Sequence, residues 1–306
     1  MPMLGIMASS TPVTLPTGGT TWTNRASVFG ANFRSYSMGF GNGVFYCGFT
    51  PPAAGTASVA YSSTNGSSWT ARTLTATGDW EATAGNSSVA SIANYNSTVS
   101  NYSTNAGVTW TAGTLPSSSS WWAGAANSSV LFYEAYGAAV AATSPDGITW
   151  TSRTVPSTSN WSGAGASSTQ LVITGSTTVA AYSADGITWT AATRATSGVC
   201  DGNLSFGTGV WVAAYASTAV ADTSADGITW TARTLPASRN WRGGVFAAGN
   251  HVIWAYSTSN AAYSADGITW TAVSMGTSSA WTFGATNGTT IAVQSYSNTQ
   301  NVITSP

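Results

Sequence analysis

The 306-residue chain carries few charges: only 6% of its residues are charged, against roughly 25% in an average soluble protein, and its formal net charge is −1. Its basic residues are all arginines and too few for the Lys/Arg cluster of a nucleic-acid-binding or polybasic membrane-surface protein. No apolar run approaches the roughly 18 residues of a membrane-spanning helix. Met1–Ser10 lacks the positively charged region of a secretory signal. Two cysteines, Cys47 and Cys200, are too few for a disulfide framework or a zinc site.

Aromatic residues make up 12% of the chain, and tryptophan alone occurs 15 times. That much large apolar surface is incompatible with an unfolded chain. The abundant Ser, Thr, Ala and Gly supply small side chains that pack between closely spaced strands. We therefore expect a folded all-β protein with no cofactor and no metal.

One eight-residue motif recurs along the sequence. It reads S-A-D-G-I-T-W-T at Ser183–Thr190, Ser224–Thr231 and Ser264–Thr271, and four further copies diverge from it. The tryptophans of the seven copies are Trp22, Trp69, Trp110, Trp150, Trp189, Trp230 and Trp270. A period of about forty residues is typical of the four-stranded blades of a β-propeller. The sequence therefore predicts seven blades.

The sixth copy shows the four predicted strands in chain order. Strand a runs from Trp241 to near Phe246, strand b spans His251–Tyr256, and strand c spans Ala261–Ser264. Asp266-Gly267 then makes a tight turn into strand d, because Asp-Gly between two short β runs is a strong hairpin signal. The proline of the T-A-R-T-L-P segment is expected to close strand d.

The two ends of the chain complement each other. After Trp270 the sequence offers strands a, b and c at Trp281, Ile291–Tyr296 and Asn301–Ser305, and the missing turn and strand d stand at Gly18–Thr23. We expect this N-terminal strand to complete the seventh blade, which removes two exposed sheet edges. The predicted single domain, 1–306, divides into blades at 28–75, 76–116, 117–156, 157–195, 196–236, 237–276, and 277–306 with 1–27.

The repeated motif resembles the Asp-box, or bacterial neuraminidase repeat, S-x-D-x-G-x-T-W, although most copies here are one residue shorter between Asp and Gly. The resemblance implies a propeller whose boxes are structural turns on the face away from the binding site. The turn-forming residues expected on this basis are Asn65, Asn105, Asp146, Asp185, Asp226 and Asp266.

A shorter segment, L-G-I-M-A-S-S at Leu4–Ser10, resembles the opening of phage tail and tail-fibre proteins. This resemblance implies a virion or extracellular location. The implied partners are a glycan or protein receptor on a cell surface, or other virion proteins.

Propeller topology places candidate binding residues on one face. The a–b and c–d turns share one rim of a blade ring, and the d–a and b–c connections share the other. A tryptophan that begins strand a and a tyrosine that ends strand b should therefore meet on the second rim, where they either pack between blades or stack on saccharide. The candidate tyrosines are Tyr95, Tyr136, Tyr215, Tyr256 and Tyr296.

The position directly after the strand-a aromatic varies between blades and often carries charge. The candidates there and beside them are Arg34, Glu81, Trp122, Asp201, Arg239, Trp241 and Arg242. Together they could bind a sugar or an anionic group. Alternatively they form ion pairs between blades, Arg34 with Glu81 and Asp201 with Arg242, which contribute only ~0–1 kcal/mol each when exposed.

Three functions remain in competition. Non-enzymatic recognition of a surface glycan or protein leads, because repetition supplies avidity from weak sites. A structural module that decorates or assembles a particle is the alternative. A sialidase-like glycosidase comes third: Glu81 and Glu134 are the only glutamates, and the sole histidine, His251, is poorly placed for a Ser-His-Asp triad.

Overall fold

The computed structural model describes residues 17–25, 29, 34–50, 57–202, 204–296 and 301–306, with the side chains of 34–36, 50 and 57 excepted. Within these ranges the chain forms 28 strands arranged as seven four-stranded antiparallel sheets. This confirms the predicted all-β, seven-bladed propeller. The described residues contain no helix long and apolar enough to cross a membrane.

Strands are named a to d from the axis outward. The a strands are β2 Arg34–Gly41, β6 Trp80–Gly85, β10 Trp121–Ala126, β14 Trp161–Ala166, β18 Leu204–Gly207, β22 Trp241–Ala247 and β26 Trp281–Thr286. The b strands are β3 Val44–Thr50, β7 Ala90–Asn94, β11 Leu131–Ala135, β15 Leu171–Gly175, β19 Val210–Ala214, β23 Asn250–Ala255 and β27 Ile291–Ser295. The c strands are β4 Ala57–Ser63, β8 Ser97–Ser103, β12 Ala138–Ser144, β16 Val179–Ser183, β20 Thr218–Ser224, β24 Thr258–Ser264 and β28 Val302–Ser305. The d strands are β5 Thr70–Gly78, β9 Thr111–Ser119, β13 Thr151–Ser159, β17 Thr190–Thr193, β21 Thr231–Arg239, β25 Thr271–Ser279 and β1 Thr23–Arg25.

The a strands surround the axis. Each packs against the a strand of the next blade, and β26 of blade 7 packs against β2 of blade 1, so the ring is closed. Buried side chains fill the space between neighbouring blades. Trp121 of blade 3, for example, shares a core cluster with Val89 of blade 2. The propeller is therefore held together by blade-to-blade burial, which contributes about 25 cal/mol per Å² of apolar surface.

The ends of the chain meet in blade 7, as the sequence predicts. β1 pairs antiparallel with β28, with Thr23 opposite Thr304 and Arg25 opposite Val302. The Gly19 amide donates to the Ser305 hydroxyl at 3.0 Å. The N-terminal strand thus supplies the outermost strand of the last blade.

Strand d continues through its proline instead of ending there. β9 contains Pro116 and β21 contains Pro236, and both strands extend three residues past the proline, to Ser119 and Arg239. The prediction that proline closes the strand is wrong, because these are outermost strands. A proline on an edge or at a bulge removes no needed ladder hydrogen bond, and the pairing of β8 with β9 is irregular on this stretch.

In blades 1 to 6 the c–d turn is held by an Asp or Asn side chain. Asp185 Oδ1 accepts hydrogen bonds from the amides of Ile187 at 2.7 Å and Thr188 at 2.9 Å, and Gly186 adopts a φ of 73°. The Trp189 indole Nε1 then donates to the Gly186 carbonyl at 3.1 Å. The motif folds this way because the carboxylate replaces missing backbone partners and glycine tolerates positive φ.

Candidate functional site

The residue after the strand-a tryptophan lies in a β-bulge. Pairing of the a and b strands skips Glu81, Trp122, Ser162 and Arg242, each of which follows a paired tryptophan and precedes a resumed ladder. A bulge leaves its extra residue without a partner and redirects its side chain. Because the bulge recurs at the start of successive inner strands, these variable side chains gather around the axis.

Three of them, Glu81, Trp122 and Ser162, line a cavity of about 210 Å³ at the axis, which we call the axial well. Residues from the inner strands or their approaches in all seven blades line it, and they include Ser37, Glu81, Trp122, Ser162, Leu204 and Phe283. Glu81, Trp122 and Ser162 stand at the starts of their inner strands, on the side of the ring that carries the d–a and b–c connections, which we call the mouth face. The c–d turns occupy the opposite face, called here the turn face.

Glu81 is the acidic residue of the well. Its side chain is 8% exposed, and its Oε2 is buried without a hydrogen-bond partner among the described residues. Burial, and secondarily the nearby Asp79 carboxylate, raises the pKa of Glu81 to about 8. At neutral pH this carboxyl is therefore mostly protonated.

A second carboxyl, that of Glu134, stands behind the wall of the well. Glu134 lies on β11 opposite Ala123, a residue that lines the cavity. It is fully buried, and neither carboxyl oxygen has a hydrogen-bond partner in the described part of the chain. Burial, reinforced by the Asp201 carboxylate, holds the pKa of Glu134 well above its ordinary value.

The predicted ion pair between blades 5 and 6 is present. Arg242 Nη1 donates to Asp201 Oδ2, Arg242 Nε donates to Asn240 Oδ1 at 3.2 Å, and the guanidinium lies 5.8 Å from the centre of the Tyr256 ring. Burial raises the pKa of Asp201, and the charge of Arg242 and the Ser162 hydroxyl partly offset that rise. Asp201 is in a bend, since the inner strand of its blade begins only at Leu204.

Three aromatic rings form a row beside the well. Trp122, which is half-buried, lies edge-on to Tyr95 with ring centres 6.2 Å apart and tilted against Tyr136 at 5.6 Å. The outermost ring, that of Tyr136, is 40% exposed. This aromatic row spans blades 2 and 3, and it combines two of the predicted strand-b tyrosines with Trp122, the candidate directly after the strand-a tryptophan.

Trp241, one of the ligand-binding candidates, is buried between blades. Its side chain is 2% exposed, and its indole Nε1 donates to the Thr218 carbonyl at 3.1 Å. The other tryptophans that begin inner strands, Trp80, Trp121, Trp161 and Trp281, are fully buried as well. Packing between blades, the alternative considered above, accounts for all of them.

Tyr215, another of the candidates, is completely buried in a polar seam between blades 4 and 5. Its hydroxyl donates to Asp222 Oδ2 at 2.6 Å, and the Arg194 guanidinium lies 4.7 Å from its ring centre. Arg194 Nη2 donates to the carbonyls of Gly175, Gly198 and Thr177. Arg194 takes the place that Leu235 occupies in the next copy of the repeat.

The remaining candidates differ in position. Tyr256 and Tyr296 are half-buried on the mouth face, directly after β23 and β27. Arg239 is exposed at the end of the outermost strand β21 and does not line the well. Arg34 begins β2, and its side chain lies outside the described part of the structure, so the proposed Arg34–Glu81 pair falls there too.

The expected turn formers lie on the turn face, remote from the well. Each side-chain oxygen accepts from backbone amides of its own turn; the residues are Asn65, Asn105, Asp146, Asp185, Asp226 and Asp266. No group of three or more His, Cys, Asp or Glu side chains within the described ranges could hold a metal ion. Cys47 and Cys200 form no disulfide within the described residues, and both are buried.

His251 has no access to either face. It is fully buried, with Nδ1 3.0 Å from the Ser205 hydroxyl and Nε2 3.2 Å from the Gly207 carbonyl. Burial lowers its pKa to about 4, so the ring is neutral at physiological pH.

No family model matches the chain, and no curated protein matches it. Solved structures with a similar fold include virginiamycin B lyase from Staphylococcus aureus, 11% identical with a TM-score of 0.74, over 93% of this chain and 99% of that one. YCF48 bound to D1 peptide is 13% identical with a TM-score of 0.70, over 97% and 99%.

A third similar structure is the Cps50 (Swd1) β-propeller domain of Myceliophteria thermophila, 7% identical with a TM-score of 0.66, over 92% and 99% of the two chains. At such identities the likeness concerns the fold alone. The three proteins differ widely in what their names describe, and function has to be argued from this chain's own site.

Proposed function

We propose that the chain is a non-enzymatic binding module whose mouth face recognises a surface glycan. The observation that carries the proposal is the aromatic row of Tyr95, Trp122 and Tyr136, which ends at a polar well lined by Glu81 and Ser162. A sugar ring presents apolar C–H faces and hydroxyls together. Aromatic side chains supply contact area for the former, and the well supplies hydrogen-bonding groups for the latter.

The carboxyl groups favour binding over hydrolysis. A glycosidase of the usual kind needs two carboxyls flanking the scissile bond, one of them ionised. Here Glu134 does not reach the cavity surface, and Asp201 is engaged by Arg242. Glu81 is left as a single, mostly protonated carboxyl in the well.

A glycan array with the purified protein tests the proposal. We expect hits that Tyr136→Ala and Trp122→Ala weaken at least tenfold. The matched control is Ile187→Ala, which removes an apolar side chain 54% exposed on the turn face and should leave binding unchanged. A protein that binds no glycan, or whose hits survive both aromatic substitutions, contradicts the proposal.

A peptide or protein partner is the second candidate for the same face. It is supported by the fold shared with YCF48, a protein solved bound to a peptide. The two candidates separate cleanly, since a peptide ligand would leave the glycan array empty while requiring the same aromatic row.

We further propose that the module belongs to a phage particle or its tail and acts outside the host cell. The support is the resemblance of Leu4–Ser10, a segment outside the described residues. Antibody raised against the protein should label purified particles, and labelling confined to uninfected host cells would contradict this location.

A further inference from the structure

Among the described side chains, the axial well has more acidic than basic groups around it. Three carboxyls, those of Glu81, Glu134 and Asp201, stand in or directly behind its wall. The one described arginine near them, Arg242, forms an ion pair with Asp201. Glu81 takes part in no ion pair within the described ranges, and it is more than nine-tenths buried while lining the cavity.

A buried carboxyl without a counter-ion is costly to ionise, so the free protein keeps it protonated. A cation brought into the same cavity reverses this, because low-dielectric walls concentrate the field of the carboxylate on it. The charge that acts on Glu81 is that of Asp79 on its own blade. The other charged groups around the well are Glu134, the Asp201–Arg242 pair and Arg34, whose side chain lies outside the described residues.

The second wall of the well is aromatic. Trp122 lines the same cavity as Glu81, and its ring continues into the row formed with Tyr95 and Tyr136. An ammonium group is attracted both to a carboxylate and to the face of a tryptophan. A protonated amino sugar is a single ring that offers an ammonium to one wall and an apolar C–H face to the other.

We infer that the axial well takes the protonated amino group of a terminal hexosamine, with Glu81 as its counter-ion and Trp122 packed on the sugar ring. The inference rests on the glycan-binding function proposed above and names the kind of glycan. Binding moves the proton of Glu81 to solvent and leaves an ammonium–carboxylate pair, with no covalent change in either partner.

The test compares two oligosaccharides that differ only in charge: a tetramer of β-1,4-linked glucosamine and the same tetramer fully N-acetylated, below the pKa of the sugar amine. The wild-type protein should bind the amine form at least tenfold more tightly by calorimetry. Repeating the titration in buffers of different ionisation enthalpy should show release of up to one proton. Glu81→Gln should remove both the preference and the proton release.

Two variants serve as controls. Asp185→Asn removes a negative charge from the turn face and should keep the preference, which separates a local pairing from a general effect of net charge. Trp122→Ala should weaken both tetramers together. Circular dichroism establishes that each variant is folded, and the comparison of the two tetramers on the wild-type protein needs no variant at all.

Equal binding of the two tetramers by the wild-type protein overturns the inference and leaves the proposed glycan function standing. The same conclusion follows if the wild-type protein binds neither tetramer but binds other glycans on the array. Binding of a tetralysine peptide by a protein with an empty glycan array overturns both, and it assigns the acidic well to a basic peptide.

Discussion

The pH dependence of stability should change measurably when Glu81 is replaced by glutamine. Burial raises the pKa of Glu81 from 4.5 to about 8, and one unit corresponds to about 1.36 kcal/mol. The whole shift therefore amounts to about 5 kcal/mol at most. A raised carboxyl pKa stabilises the folded state fully below the unfolded pKa, and this contribution is lost as pH rises towards the folded pKa.

Urea unfolding of the wild-type protein and of Glu81→Gln, measured at intervals between about pH 4.5 and pH 8.5, tests this directly. The free energy of unfolding of the wild-type protein should fall relative to the variant by up to about 1.4 kcal/mol per pH unit, and level off above pH 8. Parallel curves for the two proteins would refute the argument. Asp79→Asn removes the secondary cause of the raised Glu81 pKa. In this variant the free energy of unfolding should therefore stop falling at a lower pH than in the wild-type protein.

Three further predictions concern stability. Asp185→Ala should lower the free energy of unfolding in urea by about 1–2 kcal/mol, since two amides of the turn lose their acceptor. Those hydrogen bonds also lower the pKa of Asp185. The stability difference between wild type and variant should therefore shrink in acid, as the wild-type carboxylate is protonated. Deleting residues 1–25 should lower the melting temperature by more than 10 °C, whereas deleting 1–16 should spare it; equal melting of the two would reject the role of β1. Arg194→Leu should cost about 3 kcal/mol, because several backbone carbonyls lose their donor, and a melting temperature at or above wild type would show that the polar seam adds nothing.

The fold could be predicted from the sequence because its signals are local and repeated. An Asp-Gly turn followed by an anchoring tryptophan needs only its own few residues, as the bonds from Asp185 to Ile187 and Thr188 show. Seven copies of one such turn determine both the number of blades and the place of the missing strand. Neither inference required knowledge of a contact between blades.

The site resisted prediction because it depends on contacts between blades. Tyr136 and Tyr215 stand at the same place in their repeats, yet Tyr136 is 40% exposed and Tyr215 is fully buried. The difference arises from Arg194, which belongs to the preceding blade and covers the Tyr215 ring. A prediction of side-chain direction from strict alternation along each strand also does not include the β-bulges. These bulges direct Glu81 and Trp122 towards the axis.

The pairing of β1 with β28 has a consequence for how the chain is made. Thr23 leaves the ribosome early, and its partner, Thr304, is translated only after every intervening blade. At an elongation rate of about 5–20 residues per second, Thr304 is added about 14 s after Thr23 at the fastest rate and tens of seconds after it at the slowest. For that interval the nascent protein is an open arc in which β1 has an unpaired edge. A chaperone, or rapid docking of the finished blades onto one another, has to keep that edge from pairing with a neighbouring nascent chain.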